Sequence, residues 1–239
     1  VGMAARSFGV HAVVVVPHGI SHEKNRAMQA QGVELIEYGH DFQESLEYAR
    51  TLAEQPSHAM VDSFHERLVM GTATYALEFF EGTPPLDVVF VPIGLGSSIC
   101  GVSAARNALG LKTEIVGVVA AASPSYAISF AQHRVIEAPS HTVLADGLAC
   151  RKPVQSAMEA IWNNVRRIVE VTDDEVAEAM CIYYQDTHNL AEGAGAAALA
   201  GARQLKSALS DKRGGIGRTV GNVDAAIFRR VLEGGGLYD

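Results

Sequence analysis

The stretch that decides the fold is Asp87-Val-Val-Phe-Val-Pro-Ile-Gly-Leu-Gly-Ser-Ser-Ile-Cys-Gly101. Its apolar run from Val88 to Val91 predicts a strand buried on both faces, because no polar residue alternates within it. A helix that begins near Ser98 would direct the positive end of its dipole at the loop between them. The loop carries residues with little or no side chain, so its backbone N–H groups can approach a ligand closely: Gly94, Gly96, Ser97 and Ser98. A strand, a Gly/Ser loop and a helix in this order predict a phosphate-binding turn.

Two better-known phosphate motifs are absent from this loop. Ile99 stands where the dinucleotide fingerprint Gly-x-Gly-x-x-Gly has its third glycine. No Gly-x-x-x-x-Gly-Lys-Ser/Thr sequence occurs, which excludes a P-loop. A tight βα turn, in which glycine only relieves steric crowding, would also explain the pattern.

The composition is that of a folded globular protein. Of the 239 residues, 48% are hydrophobic and 19% are charged, which supports a buried core and argues against disorder. The formal net charge is −8 and no basic cluster occurs, so we expect neither nucleic acid nor membrane surfaces as partners. The three widely spaced cysteines predict core thiols of a cytoplasmic protein: Cys100, Cys150 and Cys181.

Strand-like and helix-like segments alternate along almost the whole chain. Because the strands are apolar without alternation, this order predicts an α/β protein with mostly parallel sheets covered by helices. Ligands of such sheets bind beyond the carboxyl ends of the strands, where the loop after Val91 would lie. We also expect a short strand over His58–Val61 and a change of domain near Asp62 and Ser63.

Six short segments, taken together in their order and spacing, resemble one family: the fold-type II pyridoxal phosphate enzymes, in the branch of threonine/serine dehydratases and serine racemases. The resemblance covers essentially the whole chain and implies a tryptophan synthase β-like fold, with two mostly parallel sheets flanked by helices. It implies a remnant of the smaller α/β domain over residues 1–62 and the larger cofactor-binding domain over residues 63–239. The segments are Gly-Thr-Ala-Thr-Tyr-Ala-Leu-Glu78, Val-Pro-Ile-Gly-Leu-Gly-Ser-Ser98, Leu-Ala-Asp-Gly147, Val-Thr-Asp-Asp-Glu175, Ala-Glu-Gly-Ala-Gly195 and Thr-Val-Gly-Asn-Val-Asp224.

The resemblance implies pyridoxal 5'-phosphate as the cofactor. The loop from Gly94 to Ser98 resembles the glycine tetrad that binds its phosphate, with Leu95 and Ser97 in place of two glycines. A positive φ at Leu95 would strain this loop. Thr219 falls where the family has a hydroxyl or thiol facing the pyridine nitrogen, although the Arg-Gly-Gly-Ile-Gly-Arg218 sequence before it departs from the family's apolar strand. A strand-end threonine in a turn with Gly221 is the other interpretation.

The resemblance also implies roles for three residues nearer the substrate. Glu192 matches the family's acidic residue beside the cofactor ring and is the catalytic candidate of this chain, although a carboxylate in the first turn of a helix would look the same. Asp146 and Gly147 resemble a loop near the substrate, and a plain Asp-Gly turn would explain them equally well. Gly117–Ser123 contains no carboxylate where metal-activated members have Glu and Asp, so we expect no metal site.

The lysine that binds the cofactor covalently in the family has no counterpart here. Val1–Gly9 resembles the helix after the family's Ser-x-Gly-Asn-His segment, so the portion that carries this lysine and the substrate-carboxylate loop is expected to be missing. We favour a fragment of a complete enzyme over a natural chain without the lysine. The five lysines all have the sequence context of solvated charges: Lys24, Lys112, Lys152, Lys206 and Lys212.

The reaction implied for the complete enzyme is β-elimination from a hydroxy amino acid such as threonine or serine, with a 2-oxo acid and ammonia as products. A neutral hydroxyl at Thr219 would make the cofactor ring a mild electron sink, which suits this reaction. A serine racemase-type isomerase is an alternative, but it needs a second acid/base that we cannot place. A catalytically inactive phosphate-binding module is another alternative. A homodimer is implied by the resemblance alone.

Overall fold

The computed structural model describes residues 1–234, and the chain divides into two compact units. Of the described residues, the first unit comprises 1–62 and 222–229, and the second comprises 63–221 and 230–234. Within residues 1–234 each unit contains one sheet, and every strand pair is parallel. The expectation of an α/β fold with parallel sheets is therefore confirmed. The assignment of residues 1–62 and 63–239 to a smaller and a larger family domain stays a prediction.

The first unit is built on a two-stranded sheet whose register places Val13 opposite Glu34. Side-chain caps begin two of its helices: the Ser21 hydroxyl accepts the Lys24 N–H at 3.0 Å, and the Asp41 carboxylate accepts the Glu44 N–H at 2.9 Å. The elements are α1 (Gly2–Phe8), β1 (Val13–Val16), α2 (His22–Ala30), β2 (Glu34–Glu37) and α3 (Phe42–Ala53).

A late segment of the chain completes this unit. Asp224 accepts a hydrogen bond from the Ser21 hydroxyl, and the Ala225 N–H donates to the Glu23 carboxylate at 3.0 Å. The hydrogen bond from Ser21 lowers the pKa of the Asp224 carboxyl, because it favours the charged form. The helix that follows, α10 (Ala225–Leu232), has no counterpart among the elements predicted from sequence.

The strand predicted over His58–Val61 is wrong. These residues form an irregular segment after α3, and the His58 N–H continues the turn by donating to the Gln55 carbonyl at 3.2 Å. Val61 is 60% exposed, so this short apolar run is not held in a core. A run of four residues forms a strand only where a neighbouring strand satisfies its backbone groups, and sequence alone does not supply that neighbour.

The second unit is built on a four-stranded parallel sheet in the order β5-β4-β3-β6. The central strand is buried along its whole length, as the unalternated apolar run predicts. Because all four strands are parallel, their carboxyl ends lie along one edge of the sheet. The strands are β3 (Val88–Pro92), β4 (Glu114–Ala120), β5 (Arg167–Val171) and β6 (Gly214–Ile216).

The composition of the edge strand β6 does not indicate a strand, because glycine is unfavourable in strands. Here Gly214 pairs with Val88 and Ile216 with Phe90. A Cβ atom on Gly215 would lie 2.7 Å from the Phe79 ring. A glycine therefore allows an aromatic side chain to cover this strand closely.

Helices cover this sheet, and their apolar side chains complete a core that includes Ile99, Ile115 and Met158. Within residues 1–234, no helix is long and apolar enough to cross a membrane. Short 3-10 turns lie at Asp146–Leu148 and Lys206–Leu209. The helices are α4 (Glu66–Glu81), α5 (Ser97–Ala108), α6 (Ser125–Gln132), α7 (Gln155–Asn164), α8 (Asp173–Thr187) and α9 (Gly193–Gln204).

Helices α4 and α5 pack with almost no space between their backbones. A Cβ atom on Gly101 of α5 would lie 2.5 Å from the Thr72 Oγ1 and 2.8 Å from the Ala73 N of α4. A Cβ atom on Gly71 of α4, by contrast, would have none of the described atoms within 4 Å. Two helical glycines therefore differ only in their packing.

The substitution Gly101→Ala is expected to lower the free energy of unfolding by about 1–3 kcal/mol, because the backbone of α4 must move to admit a methyl group. The matched change Gly71→Ala is expected to raise it by about 0.5–1 kcal/mol, because alanine favours the helix and meets open space. Urea unfolding followed by circular dichroism measures both. Equal effects of the two substitutions would contradict the close packing of α4 on α5.

Candidate anion and cofactor site

The turn between β3 and α5 has the conformation that an anion-binding loop needs. Strand β3 ends at Pro92 and α5 begins at Ser97. The left-handed conformation falls on Gly96, whose φ is 97°, and Leu95 keeps a negative φ. The strain expected at Leu95 is therefore avoided, because the glycine after it takes the unusual backbone angle.

The backbone N–H groups of this turn are available to a ligand. Among residues 1–234, no hydrogen bond uses the N–H groups of Leu95, Gly96, Ser97 or Ser98, and the first helical bond of α5 runs from Cys100 N to Gly96 O at 3.0 Å. Successive N–H donors at a helix N-terminus attract anions, because their partial charges add to that of the helix dipole. We call the backbone of Gly94–Ser98 the anion cradle.

Side chains from α4 hold the start of α5 in place. The Thr72 hydroxyl donates to the Ser97 carbonyl at 2.9 Å, and the Tyr75 and Ser98 hydroxyl oxygens are 2.6 Å apart. Burial raises the pKa of the Tyr75 phenol, and its hydrogen bond with Ser98 opposes that shift. The Ser98 hydroxyl is therefore held toward α4 by a protonated phenol.

The structure brings Gly147 and Glu192 to the anion cradle. A Cβ atom on Gly94 would lie 2.5 Å from the Gly147 carbonyl oxygen, so these two backbones touch. A Cβ atom on Gly147 would in turn lie 3.5 Å from the Glu192 Oε1. Glu192 is only 5% exposed and stands at the N-cap of α9, yet its side chain makes no capping hydrogen bond. Its carboxylate is therefore directed at the Gly147 turn and not at its own helix.

Asp173 anchors the loop that carries Gly147. Its carboxylate accepts the Thr142 hydroxyl at 2.7 Å and the Val143 N–H at 2.9 Å. Asp173 is 6% exposed, so these charge-assisted bonds are shielded from water. The loop from Thr142 to Gly147 is thereby held at the carboxyl edge of the sheet, a role that the sequence segment Val-Thr-Asp-Asp-Glu175 does not reveal.

The Asp146 carboxylate takes part in its own turn. It is exposed and accepts the Gly147 N–H at 2.8 Å, which is the geometry of a plain Asp-Gly turn. The close approach of Gly147 to Gly94 nevertheless places this turn against the anion cradle. A role of Asp146 and Gly147 at the substrate stays a prediction.

Thr219 lies at the same edge of the sheet as the anion cradle. It follows β6, which pairs with β3, and it is exposed. Its neighbour Val220 accepts the Glu192 N–H at 3.2 Å, so the chain at Thr219 runs beside Glu192. Within the described part of the chain, the Thr219 hydroxyl makes no hydrogen bond. Its place opposite a cofactor nitrogen stays a prediction.

A buried tyrosine that the sequence analysis did not identify holds a backbone carbonyl of the anion cradle. The Tyr126 hydroxyl donates to the Leu95 carbonyl at 2.7 Å and accepts the Val154 N–H at 3.1 Å. Tyr126 lies in α6, which follows β4, the neighbour of β3 in the sheet. In the sequence, only the expected convergence of the carboxyl ends of the strands points to the segment that contains Tyr126. This convergence does not identify an individual residue.

Two of the lysines lie at the other edge of this sheet. Lys112 and Lys212 precede β4 and β6, so they lie at the amino ends of the strands, opposite the anion cradle. Lys152 forms an ion pair with Glu137 at 3.0 Å, Lys206 lies in the 3-10 turn after α9, and Lys24 lies in α2. Residues 1–234 contain no group of three or more His, Cys, Asp or Glu side chains arranged to hold a metal ion.

Comparison with known proteins identifies the family. The profile of the family described as pyridoxal-phosphate dependent enzyme matches residues 1–219. The chain therefore belongs to the pyridoxal-phosphate dependent enzymes, and the family expected from the sequence segments is confirmed.

Individual relatives agree with this family. The chain is 30% identical to an L-threonine ammonia-lyase of Thermotoga maritima over 236 residues, which are 98% of this chain and 59% of that protein. It superposes on the processed form of threonine deaminase isoform 2 from Solanum lycopersicum with a TM-score of 0.88 and 23% identity, covering 97% of this chain and 68% of that one. For a maize serine racemase the TM-score is 0.86 at 24% identity, covering 98% and 72%. The chain thus spans about 59% of the length of the Thermotoga relative.

Removal of the Asp173 carboxylate is expected to free the loop at Gly147. Asp173→Ala should lower the free energy of unfolding by about 1–3 kcal/mol, since buried N–H and O–H donors lose their acceptor. It should also speed hydrogen exchange at the Val143 and Leu144 amides, which native-state exchange measures. Asp174→Ala is the control, because Asp174 is an exposed carboxylate in the same first turn of α8. Equal exchange in both variants would contradict the anchoring role.

Proposed function

We propose that this chain is the cofactor-binding part of a pyridoxal phosphate-dependent ammonia-lyase. The proposed reaction is β-elimination from a hydroxy amino acid such as threonine or serine, which gives a 2-oxo acid and ammonia. The observation that carries the proposal is the run of available N–H groups at the start of α5, next to the buried carboxylate of Glu192.

The phosphate end of the cofactor fits the anion cradle. Four successive N–H groups from Leu95 to Ser98 can donate to phosphate oxygens, and the dipole of α5 adds to their attraction. Four of the five residues of the turn are glycine or serine, and Gly96 takes the left-handed angle without strain. Gly94, Leu95, Gly96, Ser97 and Ser98 are therefore the proposed phosphate-binding residues.

The ring end of the cofactor is assigned to Glu192 and Thr219. When bound, pyridoxal 5'-phosphate supplies an electron-accepting ring that stabilises negative charge at the substrate's α-carbon. The Glu192 carboxylate, 5% exposed, would lie beside the ring on the side of α9. The Thr219 hydroxyl would offer a neutral hydrogen-bond donor to the ring nitrogen.

The substrate is assigned to the turn at Asp146 and Gly147. This turn touches Gly94 of the anion cradle and is held by Asp173, so a molecule bound beside it would lie next to the phosphate. The Thermotoga relative, an L-threonine ammonia-lyase, supports threonine. We propose a small hydroxy amino acid as the substrate class.

The setting of the enzyme is a further part of the proposal. Cys100, Cys150 and Cys181 are free thiols, which supports a reducing compartment such as the cytoplasm. Burial raises the pKa of the Cys100 and Cys150 thiols to about 11, so both stay uncharged and inert at neutral pH. We propose a homodimer on the strength of the family, and light scattering of the purified protein measures it.

The chain is expected to bind pyridoxal 5'-phosphate at least about tenfold more tightly than pyridoxal, since each charge-assisted hydrogen bond to phosphate contributes about 1.5–3 kcal/mol. Equilibrium dialysis measures both affinities.

Gly96→Ala should remove this difference in affinity between pyridoxal 5'-phosphate and pyridoxal, because φ at Gly96 is 97° and an added Cβ atom would lie 2.9 Å from the Ala157 Cβ. Gly110→Ala is the matched control: it has φ +65° at the other end of α5, with no described atom within 4 Å of the added Cβ.

Equal affinity of the parent chain for pyridoxal and pyridoxal 5'-phosphate would contradict the phosphate assignment. The reaction itself is measured on the polypeptide of the complete reading frame, supplied with the cofactor and with threonine or serine. Release of ammonia and a 2-oxo acid in equal amounts is the expected result. Inversion of configuration at the α-carbon without release of ammonia would indicate an isomerase and contradict the proposed lyase activity.

A further inference from the structure

The Tyr126 phenol makes two hydrogen bonds beneath the anion cradle. Its hydroxyl donates to the Leu95 carbonyl at 2.7 Å and accepts the Val154 N–H at 3.1 Å, so both its donor and one acceptor position are used. The side chain is only 1% exposed, and burial raises the pKa of this phenol above its ordinary value. The hydroxyl therefore stays protonated and remains a donor to Leu95 throughout the neutral range.

The direction of the Leu95 carbonyl determines the direction of the next N–H group. In a planar trans peptide the C=O and the N–H point in opposite directions, and residues 1–234 contain no cis peptide bond. Because the Leu95 carbonyl points toward the buried Tyr126 hydroxyl, the Gly96 N–H points away from it. The Gly96 N–H then faces away from Tyr126, and the N–H groups of Ser97 and Ser98 follow it in the chain as the first residues of α5.

The peptide between Leu95 and Gly96 is one that could turn over without such a contact. Glycine adopts positive and negative φ about equally well, so the backbone at Gly96 resists a flip only weakly. A flip would present the Leu95 carbonyl oxygen to the bound anion in place of the Gly96 N–H, and two negative groups would then face each other. A fixed partner for the Leu95 carbonyl prevents this exchange.

We infer that Tyr126 is a positioning residue of the anion cradle, whose phenol holds the Leu95 carbonyl inward and thereby keeps the Gly96 N–H directed at the phosphate. This inference rests on the proposed function, because it concerns the same phosphate. Tyr126 touches neither the cofactor nor the substrate in this account and acts only through the Leu95–Gly96 peptide.

Ser129 provides a matched control on the same helix. Its hydroxyl is fully buried, donates to the Ile136 carbonyl at 3.3 Å and accepts the Ile136 N–H at 2.9 Å. Like Tyr126, it uses one donor and one acceptor position on backbone groups. None of its partners belongs to the anion cradle. Removal of the Ser129 hydroxyl therefore shows how much the loss of buried hydrogen bonds on α6 alone changes ligand affinity.

The experiment compares phosphate affinity in Tyr126→Phe, Ser129→Ala and the parent chain. Equilibrium dialysis measures the binding of inorganic phosphate, pyridoxal 5'-phosphate and pyridoxal in the presence of sucrose, which favours the folded state. Tyr126→Phe is expected to weaken binding of both phosphate ligands by about tenfold, the loss of one charge-assisted hydrogen bond, and to leave pyridoxal affinity unchanged. Ser129→Ala should change none of the three affinities.

Each result decides for or against the inference. If Tyr126→Phe binds phosphate as the parent does, or loses pyridoxal affinity to the same extent, Tyr126 is only a core residue and the proposed function stands. If the parent chain binds neither phosphate ligand at millimolar concentration, both the inference and the proposed function fail. A variant with 4-aminophenylalanine at position 126 keeps an N–H donor for Leu95 and should bind phosphate within about threefold of the parent. A folded variant of this kind that binds about tenfold more weakly would overturn the inference even if Tyr126→Phe does not fold.

Discussion

The structure depends on one backbone constraint, the change from strand to helix between Pro92 and Ser97. A strand in the middle of a parallel sheet has its own polar groups satisfied by both neighbours, and a helix has no internal partners for its first N–H groups. Only four residues separate strand β3 from helix α5. The N–H groups between them therefore need an acceptor that neither the sheet nor the helix supplies. An anion is such an acceptor, and the dipole of α5 favours it.

The rest of the second unit holds this junction in position. Strands β4 and β6 flank β3, so the segments that follow them, with Tyr126 in α6 and Thr219 in a loop, start at the same edge of the sheet. Backbone contacts without side chains bring the remaining parts together: Gly94 meets Gly147, and Gly195 meets the Val220 carbonyl. A side chain at any of these glycines would require a backbone segment to move. The site therefore depends on close contact between backbone segments as well as on its polar groups.

Much of this arrangement is predictable from the sequence, and the limits have physical reasons. The buried strand β3 and its glycine loop are local patterns, and the structure contains both. Strand pairing depends on a neighbour that is distant in sequence, so local patterns mislead at two places. The apolar run His58–Val61 has no partner and forms no strand, whereas the glycine-rich run of β6 pairs with β3. The contributions of Tyr126 and Asp173 were also missed, because each acts on a backbone group 30 or 31 residues away.

The central claim is that the N–H groups of the anion cradle bind the phosphate of pyridoxal 5'-phosphate. A crystal structure of the chain with this cofactor measures it directly. The account predicts phosphate oxygens about 2.7–3.2 Å from the backbone nitrogens of Gly96, Ser97 and Ser98, with the Leu95 carbonyl still on the Tyr126 hydroxyl. A phosphate bound elsewhere, with the turn closed by its own side chains, would contradict it.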